Sequence, residues 1–192
     1  MTQSPKPVRK RNAEKTQQDI LSAAQQTFFE KGYDGAGTRQ IADRANVNVA
    51  LINRYFGSKE GLFQKAILPA LNIDFMLEGD MDDFGQRVAE MFATKKGEKD
   101  FDPVIALLRA STSKEAIPML CQTVEEQIIK PLATRLEGDA AHERASLIIT
   151  QLTGYDLLSR IVNVQTTSTK GAQYMTRLLA KTIQDLVDAT RS

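Results

Sequence analysis

Residues 37–60 read G-T-R-Q-I-A-D-R-A-N-V-N-V-A-L-I-N-R-Y-F-G-S-K-E, and this stretch decides the fold. Thr38 and Asn48 are residue types that cap helix N-termini, so each is predicted to begin a helix of about two turns. Gly57 ends the second of these helices, and Ser58 caps the next one. Two short helices joined by a tight turn and preceded by a longer helix form a helix-turn-helix unit.

The preceding residues supply that longer helix. Ile20, Ala24 and Phe28 recur every four residues, which predicts a helix from about Glu14 to a left-handed end at Gly32. Strict two-residue alternation of apolar and polar residues is absent from the chain, whereas helical spacing recurs throughout. The sequence therefore predicts an all-α fold of about nine helices.

The later helices are predicted to be longer. The fourth helix is expected to run into the mid-seventies with a break near Leu68, because Pro69 interrupts helical hydrogen bonding. A bend is expected near Pro131 for the same reason. The further helices are predicted over residues 81–96, 102–110, 113–136, 139–164 and 168–189.

Charge is unevenly distributed along the 192 residues. Residues 1–65 hold 11 Lys and Arg against 6 Asp and Glu, whereas residues 66–192 hold 14 against 18. A basic N-terminal third predicts contact with a polyanion in that part of the chain. The predicted divisions are a flexible basic arm over 1–13, a DNA-binding domain over 14–74 with its motif at about 37–56, and a C-terminal domain over 75–192.

Composition excludes several classes of protein. A single cysteine, Cys121, and a single histidine, His142, leave no material for a disulfide, a zinc cluster or a two-histidine metal site. We find no paired acid–base or nucleophile–base groups, so we expect neither an enzyme nor a cofactor. Neither an 18-residue apolar run nor a signal peptide is present, so a cytoplasmic protein is expected.

The N-terminal third also carries a family resemblance. Residues 16–65 contain, in order, I-L-x-A-A, F-x-x-K-G-Y, T-R-x-I-A-x-R-A and V-x-x-A-L-I-x-x-Y-F-x-S-K-E-x-L. This order and spacing resembles the DNA-binding domain of TetR-family transcriptional regulators. Three later stretches resemble the ligand-binding domain of one TetR-like subgroup, namely L-L-R-A-S at 107–111, K-P-L at 130–132 and R-A-S-L-I-I-T-Q-L-T-G at 144–154.

The resemblance implies that residues 49–56 form a recognition helix. Ile52 and Phe56, four residues apart, are expected to face the core together with Leu51. The opposite face then offers an amide and a guanidinium, groups that pair with adenine and guanine edges in the major groove. The predicted DNA-binding residues are Thr38, Arg39, Asn48, Val49, Ala50, Asn53, Arg54, Tyr55 and Lys59.

These residues have different expected roles. Arg54 and Asn53 are candidates for base reading, whereas Thr38, Arg39 and Lys59 are candidates for phosphate contacts that set the register. The family usually has tyrosine where this chain has Asn53, and often histidine at the position of Tyr55. The backbone contacts of those two positions can therefore differ from the family pattern.

The resemblance also implies a homodimer that binds a palindromic operator. The last two long helices carry more apolar surface than one core requires, which favours a four-helix bundle between two chains. Two recognition helices would then lie about 34–36 Å apart. The predicted dimer residues are Ala145, Ile148, Leu152, Leu158, Ile161, Met175, Leu178, Leu179, Ile183 and Leu186.

A small, largely apolar effector is expected to bind the C-terminal domain and release the DNA. Its identity does not follow from the sequence. The candidate pocket residues are Phe84, Met91, Phe92, Leu108, Met119, Gln127, Ile128, Leu152 and Tyr155.

Alternatives remain open from the residues alone. The chain can be a helical small-molecule-binding protein, or an activator or adaptor with the same DNA-binding head. The cluster Arg9 to Arg11 can enter a minor groove or simply keep the protein in solution. Asp156 and Arg160, four residues apart, are interpreted as a surface ion pair rather than pocket groups.

Overall fold

The computed structural model describes residues 8–71, 73–94, 101–162, 164 and 169–189. The described residues form helices and connecting loops without a strand, which confirms the predicted all-α class. The helices are α1 Val8–Gly35, α2 Thr38–Arg44, α3 Val49–Phe56, α4 Lys59–Ala66, α5 Asp74–Leu77, α6 Phe84–Ala93, α7 Pro103–Ala110, α8 Ile117–Val124, α9 Lys130–Arg135, α10 Ala141–Asp156 and α11 Thr169–Asp188.

The helix count agrees with the prediction. Residues 125–129 form a wide π turn through which α8 continues into α9, so these two helices form one run. If that run counts once and the single turn α5 is left out, the described residues contain nine helices. None of the helices in the described ranges is both long and apolar enough to cross a bilayer.

Irregular helix geometry lies near both Pro69 and Pro131, although α4 ends at Ala66 and does not run into the mid-seventies as predicted. A short 3₁₀ turn, Leu68–Leu71, follows α4 and contains Pro69, so the α-helix ends where the break was expected. The π turn at 125–129 directly precedes Pro131, whose missing N–H cannot complete an ordinary helical turn.

Several predicted helix starts are wrong by a few residues. The helices predicted to begin at residues 81 and 113 begin at Phe84 and Ile117. α1 begins at Val8 rather than Glu14, because the intervening residues R-K-R-N-A-E are mostly good helix formers. Thr38 is the first helical residue of α2, and Gly37 occupies the N-cap position instead. Asn48 and Ser58 do cap α3 and α4, accepting hydrogen bonds from the backbone N–H groups of Ala50 and Gly61.

The chain divides into two compact units. The first consists of Met1–Ala70 and Phe101–Cys121, and the second of Leu71–Asp100 and Gln122–Ser192. Residues 101–121 thus share the first unit with the helix-turn-helix motif, although they follow it by some fifty residues. The functional division at residue 74 remains a prediction.

Aromatic packing forms the centre of the first unit. Tyr33 stacks on Phe28 with ring centroids 6.0 Å apart and meets the edge of Phe63 at 5.1 Å. Phe28 and Phe63 also meet edge to face at 5.0 Å, and all three side chains are at most 1% exposed. The cluster joins the end of α1 to α4.

The end of α1 turns sharply at Gly32, where φ is 68°, as the left-handed helix end predicted there requires. The Arg109 guanidinium of α7 donates hydrogen bonds to the carbonyls of Phe29 and Glu30, in the last regular turn before Gly32. Ser113 donates to the Asp34 carboxylate at 2.6 Å, in the turn that follows. Residues 101–121 therefore hold both sides of this bend.

A close crossing of α6 and α11 forms the centre of the second unit. A Cβ atom on Gly85 would lie 2.3 Å from the backbone oxygen of Ala180, so only glycine fits there. The Gly85 N–H donates to the Gln184 side chain at 2.8 Å. The core around the crossing includes Phe84, Val88, Ala89, Ile148, Leu152, Ile183 and Val187, all at most 4% exposed.

Arg144 fixes one end of α10 against the end of α11. This guanidinium is 6% exposed and donates to the carbonyls of Leu186 at 3.0 Å and Val187 at 3.1 Å. It also donates to the carbonyls of Glu137 and Asp139 in the loop before α10. Hydrogen bonds to four carbonyls satisfy this buried cation and hold the two helices in register.

Candidate nucleic-acid interface

The helix-turn-helix motif is held by local backbone bonds. Between α2 and α3 the chain turns at Asn46, which has a positive φ of 54°. Val47 donates its N–H to the Ala42 carbonyl at 2.9 Å, and the Asn48 side chain accepts from Ala50 at 2.8 Å. Asparagine tolerates both the left-handed turn and the cap, so the local sequence dictates this geometry.

The inner face of α3 packs into the first unit as predicted. Ile52 is 0% and Phe56 is 8% exposed, whereas Leu51 is half-buried. Because α3 has only two turns, these few side chains anchor it. Its remaining side chains are exposed or half-buried.

The outer face of α3 is polar and small. Ala50, Asn53 and Arg54 are exposed, and Val49 and Tyr55 are half-buried beside them. The Arg54 guanidinium lies 5.8 Å from the centroid of the Tyr55 ring. Among the described residues no carboxylate pairs with Arg54, so its fork of donors remains open to a planar acceptor.

The candidate phosphate-binding residues surround this face. Arg39 is exposed, Thr38 is half-buried at the start of α2, and Lys59 is half-buried at the start of α4. The Lys59 ammonium nitrogen lies 4.5 Å from the centroid of the Tyr33 ring and 3.5 Å from the Asp34 carbonyl oxygen. Arg44 is engaged elsewhere, since both carboxylate oxygens of Glu30 accept from its guanidinium at 2.9 Å.

Sequence reasoning missed Tyr33 as a neighbour of this surface. Its place after Lys31-Gly32 marked it only as part of a family motif. The pKa of Tyr33 is raised, mainly because the phenol is buried and secondarily because the Glu60 carboxylate is nearby. The ring therefore remains neutral under all ordinary conditions.

Part of the predicted basic arm lies outside the described residues, namely the whole of residues 1–7 and the side chains of Arg9, Lys10 and Arg11. The backbone of the arm from Val8 onward belongs to α1. The predicted role of the arm thus stays a prediction.

The candidate pocket residues are placed in different environments. Phe84, Ile128 and Leu152 are buried in the second unit, and Phe92 and Tyr155 are half-buried there. Met91 and Gln127 are exposed in the second unit, and Leu108 and Met119 are half-buried in the first.

A groove of about 430 Å³ lies beside the crossing of α6 and α11. It is open to solvent and lined mostly by charged and amide side chains, and it contains none of the predicted pocket residues. Its lining consists of Asp82, Asp83, Gln86, Arg177, Ala180, Lys181, Gln184 and Asp185.

The candidate dimer residues separate into two groups. Ala145, Ile148, Leu152, Leu179 and Ile183 are at most 9% exposed, because the second unit itself covers them. Leu158, Met175 and Leu178 are 53%, 41% and 45% exposed. Leu186 is half-buried, and the side chain of Ile161 lies outside the described residues. The surface open to a partner is therefore narrower than predicted.

Two further exposed residues extend that surface. Leu147 of α10 is 52% exposed and Tyr174 of α11 is 56% exposed. Leu158 lies in a π turn over residues 157–161 that continues α10. We call Leu147, Leu158, Tyr174, Met175 and Leu178 the apolar face of α10 and α11.

The interpretation of Asp156 as a surface group is wrong. This carboxylate is 1% exposed, because it lies on the inner side of α10 with Leu152. The side chain of Arg160 falls outside the described residues. Within those residues, no three His, Cys, Asp or Glu side chains are arranged to hold a metal ion.

Comparison with known proteins agrees with this geometry. Residues 20–66 match the model of bacterial regulatory proteins of the tetR family, and residues 82–187 match that of the tetracyclin repressor-like C-terminal domain. The HTH-type transcriptional repressor NicS of Pseudomonas putida is 43% identical over 56 residues, which are 29% of this chain and 26% of NicS. An uncharacterized HTH-type regulator of Bacillus subtilis, YvkB, is 45% identical over 49 residues, or 26% of each chain. This chain thus spans about a quarter of the length of the curated relatives it matches.

Solved structures show the same fold over most of the chain. A TetR-family regulator from Streptomyces coelicolor is 24% identical with a TM-score of 0.58, covering 96% of this chain and 99% of its own. A regulator from Aquifex aeolicus is 19% identical with a TM-score of 0.64, covering 88% and 98%. Reduced NemR of Escherichia coli is 14% identical with a TM-score of 0.65, covering 86% and 95%.

Proposed function

This chain belongs to the tetR family of bacterial transcriptional regulators, and from that premise we propose that it is a repressor that binds a palindromic operator as a homodimer. A small, largely apolar effector releases it from that operator. The family is not one of enzymes, so the function resides in binding. A DNA ligand also places the protein in the cytoplasm.

The exposed face of α3 carries the proposal. Arg54 and Asn53 are held outward by a helix whose inner side chains, Ile52 and Phe56, are buried. A guanidinium suits the O6 and N7 atoms of guanine, and an amide suits adenine. The small side chain of Ala50 lets the helix approach the base edges closely.

The apolar face of α10 and α11 supports the homodimer. Five large apolar side chains, each at least 41% exposed, lie on α11, on α10 and on the π turn that continues α10, all in the same unit. Exposed apolar surface of this kind marks a site for another protein surface. A second copy of the same face gives a symmetric contact, which is the common form of a homo-oligomer.

The effector part rests on the family and on the apolar side chains of the second unit. Phe84, Ile128 and Leu152 are large and buried. Ligand sites in proteins are lined mainly by such side chains with a few polar groups. Release then requires only that the effector binds the DNA-free arrangement more tightly than the DNA-bound one.

Selection from random-sequence DNA tests the operator directly. The purified chain should enrich a palindrome whose half-sites are about one helical turn apart. On that palindrome, Arg54→Ala should lower affinity by about 1–3 kcal/mol for each half-site and relax preference at one base pair in each. Lys170→Ala, which removes the same charge from an exposed position on α11, is the matched control.

The outcomes separate the parts of the proposal. An enriched site without two-fold symmetry would contradict the homodimer while leaving DNA reading intact. Equal affinities for Arg54→Ala and the parent protein would contradict the assignment of the recognition face. A pool without any enrichment would contradict sequence-specific DNA binding itself.

A further inference from the structure

We propose that Tyr33 is a positioning residue that holds the ammonium group of Lys59 where it meets a DNA phosphate. The inference rests on the proposed function, and it goes beyond it by assigning a role to a buried ring that does not touch DNA. It also names the contact through which the end of α1 takes part in binding.

The geometry is that of a cation held over an aromatic face. The Lys59 nitrogen lies 4.5 Å from the Tyr33 ring centroid, within the distance at which such pairs attract. Its second contact is the Asp34 carbonyl oxygen at 3.5 Å. An ammonium group has three N–H donors, so these two contacts leave donor capacity for a phosphate.

The ring is a rigid support. Tyr33 is 1% exposed and is fixed by Phe28 on one side and by the edge of Phe63 on another. Phe63 follows Lys59 by one helical turn on α4, so both side chains project from the same face of that helix. Packing of Phe63 against Tyr33 therefore brings Lys59 to the ring.

The charge of Lys59 is not held in an ion pair among the described residues. No carboxylate of the described residues forms an ion pair with it. The neighbouring Glu60 carboxylate has a lowered pKa, mainly because of a hydrogen bond with Ser58 and least because of the charge of Lys59, so this carboxylate screens the ammonium group without binding it.

The Asp34 carboxylate accepts the hydroxyl of Ser113 at 2.6 Å, so the turn offers Lys59 a neutral carbonyl instead. Arg44 provides the contrast, since Glu30 holds its guanidinium through two hydrogen bonds.

Holding Lys59 in advance favours phosphate binding for an entropic reason. A free lysine has a flexible four-carbon stem and loses rotamer freedom when its ammonium group is fixed. A lysine that already rests on a ring loses less of that freedom when DNA arrives. The ring face is a weak partner compared with a phosphate, so Lys59 can keep its place and gain the stronger contact.

The test measures how binding to a random-sequence duplex depends on salt. Each phosphate contact contributes a slope of about −0.9 to log K against log salt concentration. Lys59→Gln should therefore make the slope less steep by about 0.9 for each protomer that contacts the duplex, or about 1.8 for a bound dimer. Tyr33→Leu, which keeps apolar volume but removes the aromatic face, should change the slope in the same direction and weaken binding about two- to fivefold at low salt.

Three further variants make the test specific. Tyr33→Phe retains the ring and should restore the parental slope. The double variant Tyr33→Leu/Lys59→Gln should match Lys59→Gln alone, since the ring acts only through the lysine. Lys170→Gln on α11 controls for loss of one exposed charge.

A spectroscopic measurement keeps the inference open to test if Tyr33→Leu does not fold. Lysines labelled by reductive ¹³C-methylation give one signal each, and that of Lys59 is assigned by its loss in Lys59→Gln. The ring current of Tyr33 should displace this signal upfield in the parent protein and in Tyr33→Phe. Addition of the duplex should broaden or shift it further.

Each result has one meaning. A parent protein that does not bind the duplex even at low salt contradicts the proposed function itself. A parent that binds, with an unchanged slope in Lys59→Gln or in a folded Tyr33→Leu, overturns the positioning role and leaves the proposed function standing. Tighter binding by Tyr33→Leu, or a Lys59 signal without an upfield shift, overturns it as well.

Discussion

The exposed face of α3 and the apolar face of α10 and α11 are both backed by buried apolar side chains, but they present opposite chemistry to solvent. Below the first lie Ile52 and Phe56, at most 8% exposed, and below the second lie Ile148 and Ile183 at 0%. Outward, α3 shows small and polar groups, whereas α10 and α11 show large apolar ones. Under the proposed function, the solvent side of a helix, rather than its packing, distinguishes the kind of partner: a polyanion in one case and a second protein surface in the other.

The supports of the two faces also differ. The α3 region is held by caps and by the bend around Gly32, which bonds from Arg109 and Ser113 stabilise. The α11 helix is held by a backbone crossing that leaves no space at Gly85. The first support is made of side-chain hydrogen bonds and the second of close packing, so they should respond differently to substitution.

The largest effect is expected from a charge on the apolar face. Leu178→Glu should convert a homodimer to monomers, because a carboxylate cannot enter an apolar contact without losing its hydration. Binding of the palindrome should weaken on the order of 100-fold, since two half-sites are no longer joined. Analytical ultracentrifugation and a mobility-shift titration measure the two effects.

Gln173→Glu is the control for that substitution. It adds the same charge to an exposed position of α11 that lies roughly 140° around the helix from Leu178. It should leave the mass and the affinity unchanged. A dimeric Leu178→Glu protein would show that this face is not the interface between the chains.

An intermediate effect is expected at the helix crossing that supports the apolar face. Gly85→Ala places a Cβ atom against the Ala180 carbonyl and should lower the free energy of unfolding by about 1–3 kcal/mol. The melting temperature should fall by about 2–4 °C for each kcal/mol. Scanning calorimetry measures both.

The matched variant at this crossing is Gln184→Ala. It removes the hydrogen bonds that Gln184 makes with Gly85 and Met81 but adds no atom, so its effect should be smaller. If Gly85→Ala has the same melting temperature as the parent protein, the two helices can move apart without loss of stability. The proposed difference between the two supports is then wrong.

The smallest effect is expected at the bend that supports the DNA-binding face. Ser113→Ala removes the hydroxyl that donates to the Asp34 carboxylate and accepts from the Ala116 N–H. The free energy of unfolding should fall by about 1 kcal/mol. Ser111→Ala is the control, because that hydroxyl is exposed and bonds only within its own turn. Equal melting temperatures for the two variants would show that the Ser113 hydroxyl does not stabilise the bend.

Much of the DNA-binding head could be predicted from the sequence, because its signals are local. Asn48 and Ser58 cap the helices they were expected to cap, and Gly32 turns the chain at the end of α1. Ile52 and Phe56 are buried as their spacing predicted. The position of Lys59 over Tyr33 was beyond such reasoning, since the two residues are distant in sequence and meet only through the aromatic cluster.

Less of the C-terminal surface could be predicted. Periodicity identifies residues that share a helix face, and it gave α10 two apolar faces. It does not indicate which of them the protomer covers by itself. Packing against the rest of the second unit covers Ala145, Ile148 and Leu152 and leaves Leu147 and Leu158 exposed.

The sequence by itself determined most of the helices, the caps at Asn48 and Ser58, the buried face of α3 and the family of the protein. Each of these depends on residues within a few turns of one another, where spacing and propensity act directly. Only the tertiary structure decided the burial of Asp156, the crossing at Gly85 and the exposed remainder of α10 and α11. These depend on which distant surfaces meet, and side-chain complementarity between helices decides that rather than local pattern.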